Sequence, residues 1–350
     1  MHSANDRISL GVVGCGRIAQ AAHLPAILKA DNVRLAAVSD PSTRLATMVG
    51  AQYGVASYTN TDQLLDQDLD AVLIAVPDRL HVELGLKAIA ARKHVLLEKP
   101  LASTSAEARR LVDAAAAAGL KLQTGTMKRH DPGIEYAKAN LDRVGPVLSM
   151  VTWYRVMKGS RAEILHTLFP VTHEDEVVRA AEDSRKADAA TYRLATHGAH
   201  VFDLMRHLGG DLAWVSAHAA SRAGDHSWHG TAGLRDSTGL ASFEISAGVH
   251  SEWSEGTDIY GERGHIRIRS PYVFTKLGSA VELYVEAERI AQRPHFGDTN
   301  PYERQVESFA RAILEDLPTN PSPEDGVAAV RVIEAVAESC ADEGRRVELP

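Results

Sequence analysis

Cysteine is nearly absent: Cys15 and Cys340 are the only two in 350 residues. They offer no spaced framework for disulfides or zinc, and so few thiols fit a reducing compartment. Positive charge is in deficit, with 38 Lys and Arg against 46 Asp and Glu for a net charge of −8. No Lys/Arg run offers a face that could track phosphates, which argues against a nucleic-acid partner. No apolar run approaches the roughly 18 residues a membrane span needs. The opening MHSANDRISLG lacks the charged-then-apolar layout of a secretory leader, so a soluble, cytoplasmic protein is expected. Internal repeats are missing, and the one low-complexity tract is an alanine run at 114–118. What remains is ordinary for a globular chain, 45% hydrophobic and 24% charged. The length suffices for two domains with sizeable cores.

The first informative stretch begins at Ile8. Residues 8–13 form a short β-branched run, read as a buried strand, and feed Gly14-Cys15-Gly16-Arg17-Ile18-Ala19. This is a G-x-G-x-x-A turn opening an alanine-rich helix that reaches about Lys29. The first glycine permits a tight turn, the second lets backbone approach a pyrophosphate, and the small Ala19 lets helix and strand pack closely. The phosphates would sit on the helix N-terminus. A second strand, 33–39, ends in Asp40, 24 residues after Gly16. An acid at about that spacing bonds the adenosine ribose hydroxyls, and its charge favours NAD over NADP. Arg44 keeps NADP open, and Asp40 also suits a plain helix cap before Pro41.

Strands and helices continue to alternate. Residues 70–77 read as a buried strand broken by Pro77, followed by a helix from about Leu80 to Ala91. The strand 94–97 runs into Glu98-Lys99-Pro100; a helix from Ser105 to about Ala118 stops at Gly119, and residues 120–125 are read as a further strand. This order describes a doubly wound parallel sheet, an α/β Rossmann architecture. Ligands of such sheets bind just past the carboxyl ends of the strands, so Lys99 is better placed for chemistry than for packing. Pro100 lowers the cost of a cis Lys99–Pro100 bond to roughly 0.5–1 kcal/mol, against about 2.5–4 for other residues.

GVVGCGRIA with His23-Leu24-Pro25, the strand ending at Asp40, VLIAVPDRLH, HVLLEKPLA and Gly125-Thr126-Met127-Lys128-Arg129-His130-Asp131-Pro132 together resemble the Gfo/Idh/MocA family, named for glucose–fructose oxidoreductase and inositol dehydrogenase. The Glu-Lys-Pro stretch in this context is specific; the glycine turn alone is not. The resemblance covers most of the chain. It implies a Rossmann domain carrying NAD(P), here residues 1–126, and an α+β substrate and oligomerisation domain on a large open antiparallel sheet, residues 127–300. The helices of 301–350 would pack back toward the Rossmann domain. Members mostly oxidise or reduce one carbon of a sugar, cyclitol or related polyol.

From about Pro146 the pattern changes. Residues 147–156 alternate as a strand, and Lys158 to Ala190 read as a charged surface excursion, a lid being one alternative. In the stretch 194–210, Val201, Leu204, Met205 and Leu208 form an apolar stripe at helical spacing, ended by Gly209-Gly210. Thr196, His200 and Asp203 share another face. The resemblance implies that His200 points at substrate with an aspartate four residues earlier, but Thr196 occupies that position; Asp203 is a candidate replacement. After Asp211, alternating runs at 212–219, 230–234, 240–245, 257–261, 265–269 and 281–285 suggest an antiparallel meander. One of its faces lacks a long covering helix, so a homodimer or homotetramer is expected. Two helices, Tyr302 to about Leu314 and Glu324 to about Cys340, close the chain.

The sequence contains 16 histidines. His197 with His200, and His226 with His229, have the i,i+3 spacing of helix ligands but no convincing companion set, so no metal is expected.

With the resemblance, these residues imply a dehydrogenase site. Gly14, Gly16, Arg17 and Ile18 would lie under the pyrophosphate, Asp40 on the ribose, and Val76, Pro77, His81, Glu98 and Lys99 at the nicotinamide end. Lys99 and His200 would handle the proton, and Lys128, Arg129, Thr196 and His197 would help hold a small sugar or polyol. Two alternatives stand beside this. One is a redox-assisted glycosidase or epimerising enzyme with tightly held NAD; the other is a non-catalytic dinucleotide-binding sensor or repressor partner.

Overall fold

The computed structural model describes residues 7–157, 173–185, 188–250, 252–272 and 274–350. The chain divides into two compact units. The first comprises Met1–Thr126, Arg161–Ala187 and Tyr302–Val330; the second comprises Met127–Ser160, Asp188–Pro301 and Arg331–Pro350. The described residues 173–185 fall within the first unit and 331–350 within the second.

The first unit is built on six strands: β1 (Ile8–Val13), β2 (Val33–Ser39), β3 (Ala56–Tyr58), β4 (Ala71–Ile74), β5 (His94–Glu98) and β6 (Leu122–Gly125). Their order is β3-β2-β1-β4-β5-β6, every pair parallel. The direction of strand progression reverses at β1/β4, which opens a crevice at the carboxyl ends. Alternate residues feed two separate cores. Leu10, Val12, Leu73 and Leu96 pack with Leu24, Ile27 and Phe309 on one side; Val13, Val72, Val95 and Leu97 pack with Leu64, Ile89 and Leu111 on the other. The helix after the glycine turn begins with a wide turn, Ala19–His23, in which the Leu24 N–H reaches back to the Ala19 carbonyl, and continues as α1 (Leu24–Lys29). Thr104 caps the helix Ser105–Ala118, and Gly119 ends it at a φ of 65°.

The second unit holds nine strands: β7 (Val147–Met157), β8 (Leu212–Arg222), β9 (Asp225–Leu234), β10 (Leu240–His250), β11 (Ser254–Gly261), β12 (Gly264–Ser270), β13 (Ala280–Val285), β14 (Ile290–Gln292) and β15 (Val347–Glu348). Their order is β14-β13-β12-β11-β7-β10-β9-β8-β15. The sheet is not wholly antiparallel, because β7 runs parallel to β10. Consecutive strands β10 and β11 run in opposite directions with β7 inserted between them, so β7 must be parallel to one of the two. The 21-residue helix Ala189–Gly209 packs on one face, where Phe202, Met205 and Leu208 join Tyr154, Phe243 and Ile245 in one core. The other face carries Val151, Trp153, Arg155 and Glu244 around a shallow concavity of about 510 Å³.

Much of the 158–190 excursion, including 158–172 with His166, lies outside the described residues. Its described part contains the helix Glu176–Arg185. Among the described residues, no helix is long and apolar enough to cross a membrane.

Candidate active site

In the first unit the chemistry-bearing residues gather at the carboxyl ends of β1, β2, β4 and β5. Gly14 has φ of 96°, and a Cβ on it would meet the Ala75 carbonyl oxygen at 2.4 Å, so only glycine fits. A Cβ on Gly16 would meet nothing within 4 Å, which leaves that side of the turn open for a diphosphate. Ile18 turns its side chain into the core beside β1 and can offer the turn only its backbone. The Cys15 N–H donates to Asp40 Oδ2 at 2.9 Å, and the Ser42 N–H donates to Asp40 Oδ1 at 2.9 Å. Burial pushes the Asp40 carboxyl above its ordinary range; the two N–H bonds oppose this, and Asp175 adds to it. The Cys15 thiol, buried and close to Asp40, is pushed up to about 12 and stays protonated.

At the end of β5 two histidines fix the turn from either side. His23 Nε2 lies 2.7 Å from Glu98 Oε1, both groups buried, while Glu98 Oε2 accepts the Lys99 N–H at 3.0 Å. Burial alone would raise the Glu98 carboxyl. The bond and charge of His23, with the charge and N–H of Lys99, outweigh it and hold the carboxyl below its ordinary range. The His81 ring spans two carbonyls, with Nδ1 at 2.7 Å from Pro100 O and Nε2 at 3.0 Å from Val76 O. Desolvation lowers its pKa. His81 is therefore a brace between strand ends, and Glu98 anchors the turn through His23; neither was legible as such in the sequence. Val76 and Pro77 follow β4 on the same edge, the Lys99–Pro100 bond is cis, and Lys99 itself is half-buried.

The second unit gathers a different set. Tyr154 meets three rings: His200 stacks on it at 5.7 Å between centroids with 7° between planes, His197 tilts against it at 5.3 Å, and Trp253 meets it edge-on at 5.0 Å. Lys128 Nζ sits 5.1 Å from the Tyr154 centroid and pairs with buried Glu255. Glu255 Oε2 and Trp253 Nε1 are buried with no hydrogen-bond partner among the described residues. Thr196 and His197 are half-buried on the helix that carries His200.

The guanidinium of Arg129 grips Asp203 through Nε at 3.1 and 2.9 Å and Nη2 at 2.7 Å, and both side chains are buried. Asp203 holds Arg129, and Arg129 in turn ties the 127–130 turn to the helix. Among the described residues no group of three or more His, Cys, Asp or Glu could hold a metal. His226 bonds Ser221 at 2.8 Å and His229 bonds Ser227 at 2.9 Å.

Residues 8–126 match the NAD-binding Rossmann domain of one oxidoreductase family, and residues 182–349 match its C-terminal alpha/beta domain. The chain belongs to the Gfo/Idh/MocA family. Its relatives include inositol 2-dehydrogenase 2 of Saccharopolyspora erythraea, 29% identical over 346 residues that cover 95% of this chain and 93% of the relative. Another is the dTDP-3,4-didehydro-2,6-dideoxy-alpha-D-glucose 3-reductase of Actinomadura kijaniata, 24% identical with 96% of each chain covered. Among solved structures, levoglucosan dehydrogenase in complex with NADH and levoglucosan superposes with a TM-score of 0.80, at 19% identity, covering 98% of this chain and 100% of that one. This Gfo/Idh/MocA protein is an NAD-binding oxidoreductase. The glycine turn open above Gly16 and the acid at the end of β2 fit that cofactor.

Proposed function

We propose that this oxidoreductase transfers a hydride between the nicotinamide and a secondary alcohol of a sugar, glycoside or cyclitol, with Lys99 and His200 handling the proton. The observation that carries the reading is the double anchoring of the β5 end. Glu98 is held by His23 and by the Lys99 N–H, and Pro100 by His81, so the backbone that carries the Lys99 amine is fixed on both sides. Bound NAD supplies the hydride acceptor. As the hydride leaves, the hydroxyl must lose its proton, and a positive charge must stand beside the developing alkoxide. An amine fixed at the strand end serves both needs. His200, stacked on Tyr154, is the second proton-handling group. Thr196 stands where the resemblance implies an aspartate, and Lys99 is assigned the larger share of the proton handling.

The buried acceptor on Glu255 and donor on Trp253 suit a ligand rich in hydroxyls. Relatives named for inositol and for a deoxyhexose lie on the same side of the argument. The second copy expected for the outer face of the nine-stranded sheet remains part of this proposal.

Replacing Lys99 by Ala should cut turnover by about 100-fold or more while NAD binding persists by calorimetry. A modest loss would remove Lys99 from the chemistry. A screen of sugars, glycosides and cyclitols, followed by nicotinamide absorbance, tests the reaction class. Cleavage of a glycoside without net nicotinamide reduction would overturn it in favour of a redox-assisted glycosidase.

A further inference from the structure

The described part of the 158–190 excursion lies along the strand ends that carry the dinucleotide site. Arg17, in the glycine turn, donates through Nε to Glu174 Oε1 at 2.6 Å. Gln20 exchanges bonds with the backbone of His173, accepting its N–H at 2.8 Å and donating to its carbonyl at 2.9 Å. The Ser42 hydroxyl donates to Asp175 Oδ2 at 2.6 Å. Further along, Arg79 pairs with Glu182. The segment is thus fixed to the turn after β1, the end of β2 and the residues after β4.

Its position beside β2 has a chemical consequence. Ser42 is bonded on its backbone by Asp40 and on its hydroxyl by Asp175, so two carboxylates flank one residue at the place where an adenosine ribose is read. Asp175 is close enough to Asp40 to disturb its ionisation. Against these acids stands Arg44, exposed in the first turn of the helix Thr43–Tyr53.

We propose that Asp175 is a second acidic determinant of cofactor choice, standing with Asp40 at the ribose so that a dinucleotide bearing a 2′-phosphate is rejected. One carboxylate discriminates by bonding ribose hydroxyls and by charge. A second carboxylate, fixed on the other side of Ser42, adds repulsion that a single exposed arginine does not offset. Cofactor preference in this protein is then written partly in a segment 133 residues beyond Ser42.

Asp175→Asn tests this because it removes the charge at nearly the same shape; its one amide oxygen can accept either the Ser42 hydroxyl or the Val177 N–H, which Asp175 now accepts through its two oxygens. The readout is binding of NAD and NADP, and of 5′-AMP and 2′,5′-ADP as their adenosine halves, by calorimetry, with no turnover involved. The variant should raise the affinity for NADP relative to NAD by about tenfold or more. In the unmodified protein the same discrimination should shrink as salt is raised to about 1 M, where screening acts within about 3 Å. Asp175→Glu, which keeps the charge, should keep the preference and guards against a folding defect in the Asn variant. An unchanged NADP-to-NAD ratio in Asp175→Asn, or a Glu variant that gains NADP, overturns the proposal. The test is separate from the dehydrogenase reading, since unmodified protein that bound neither cofactor would break that reading first.

Discussion

The two sheets use their residues in opposite ways. In the parallel sheet β4 is buried at every position and β5 at all but its first, so both faces are consumed by packing and only the strand ends are left for chemistry. In the nine-stranded sheet β7 alternates: Met150, Thr152 and Tyr154 are buried, while Val151, Trp153 and Arg155 are not. One face of that sheet holds Tyr154 under the His200 helix, and the other carries an apolar and charged surface with Leu240 about half exposed. A sheet buried on both faces organises a cofactor site at its rim. A sheet buried on one face has a second face to give to a partner.

The sharpest way to break this contrast is to truncate one side chain from each sheet. Leu96, at 1% exposure in β5, should cost about 2–5 kcal/mol when changed to Ala. Val151, at 40% exposure on the outer face of β7, should cost less than about 0.5 kcal/mol. Urea denaturation of the two variants measures both. Similar losses would mean that the outer face is buried in solution by something more than transient contact.

That outcome leads to the next test. If the open face pairs with a second copy, a charge placed at its centre should separate the copies without unfolding either. Trp153 lies there with Arg269 over its ring at 4.6 Å. Trp153→Glu should move the sedimenting species to the mass of one chain while the circular dichroism spectrum is retained. A single-chain mass for the unmodified protein would end the proposal, and an unchanged oligomer in the variant would move the interface elsewhere.

The same contrast explains what could be read from the sequence. Strand β2 and the helix Ser105–Ala118 match their expected bounds because an apolar run and a capped period are local properties. The glycine turn was legible because residue type alone dictates close approach at Gly14. β3 was not named, being three residues at a sheet edge with too little length to show a period. The insertion of β7 between β10 and β11 leaves no local trace, since pairing partners are chosen over long range. Partners of charged groups were the least legible. Helix geometry points Asp203 toward His200, and no local signal announces the guanidinium of the 127–130 turn that bonds it. His23, Gln20 and Asp175 acquire their roles from residues far away in the chain.

The smallest expected effect lies on the open face and is read through pH. Glu244 accepts Arg155 through Nε at 2.9 Å to both oxygens and through Nη2 at 2.6 Å, and it also accepts the Ser246 hydroxyl at 2.9 Å. Partial burial works to raise its pKa from the ordinary 4.5, but the bonds from Arg155 and Ser246 and the arginine's charge prevail and lower it to about 2. A folded pKa below the unfolded one means that the pair stabilises the fold above the unfolded value, and that this contribution fades as pH falls toward the folded one. The gap in urea midpoint between the unmodified protein and Glu244→Gln should therefore be widest above about pH 5, narrow through pH 4 and 3, and close near pH 2. The group is partly exposed, so solvent screening keeps the gap small. A gap that is constant over this range would show that shape rather than charge holds Arg155 in place. The outer face would then be tuned for packing against a partner, as the parallel sheet is against its helices.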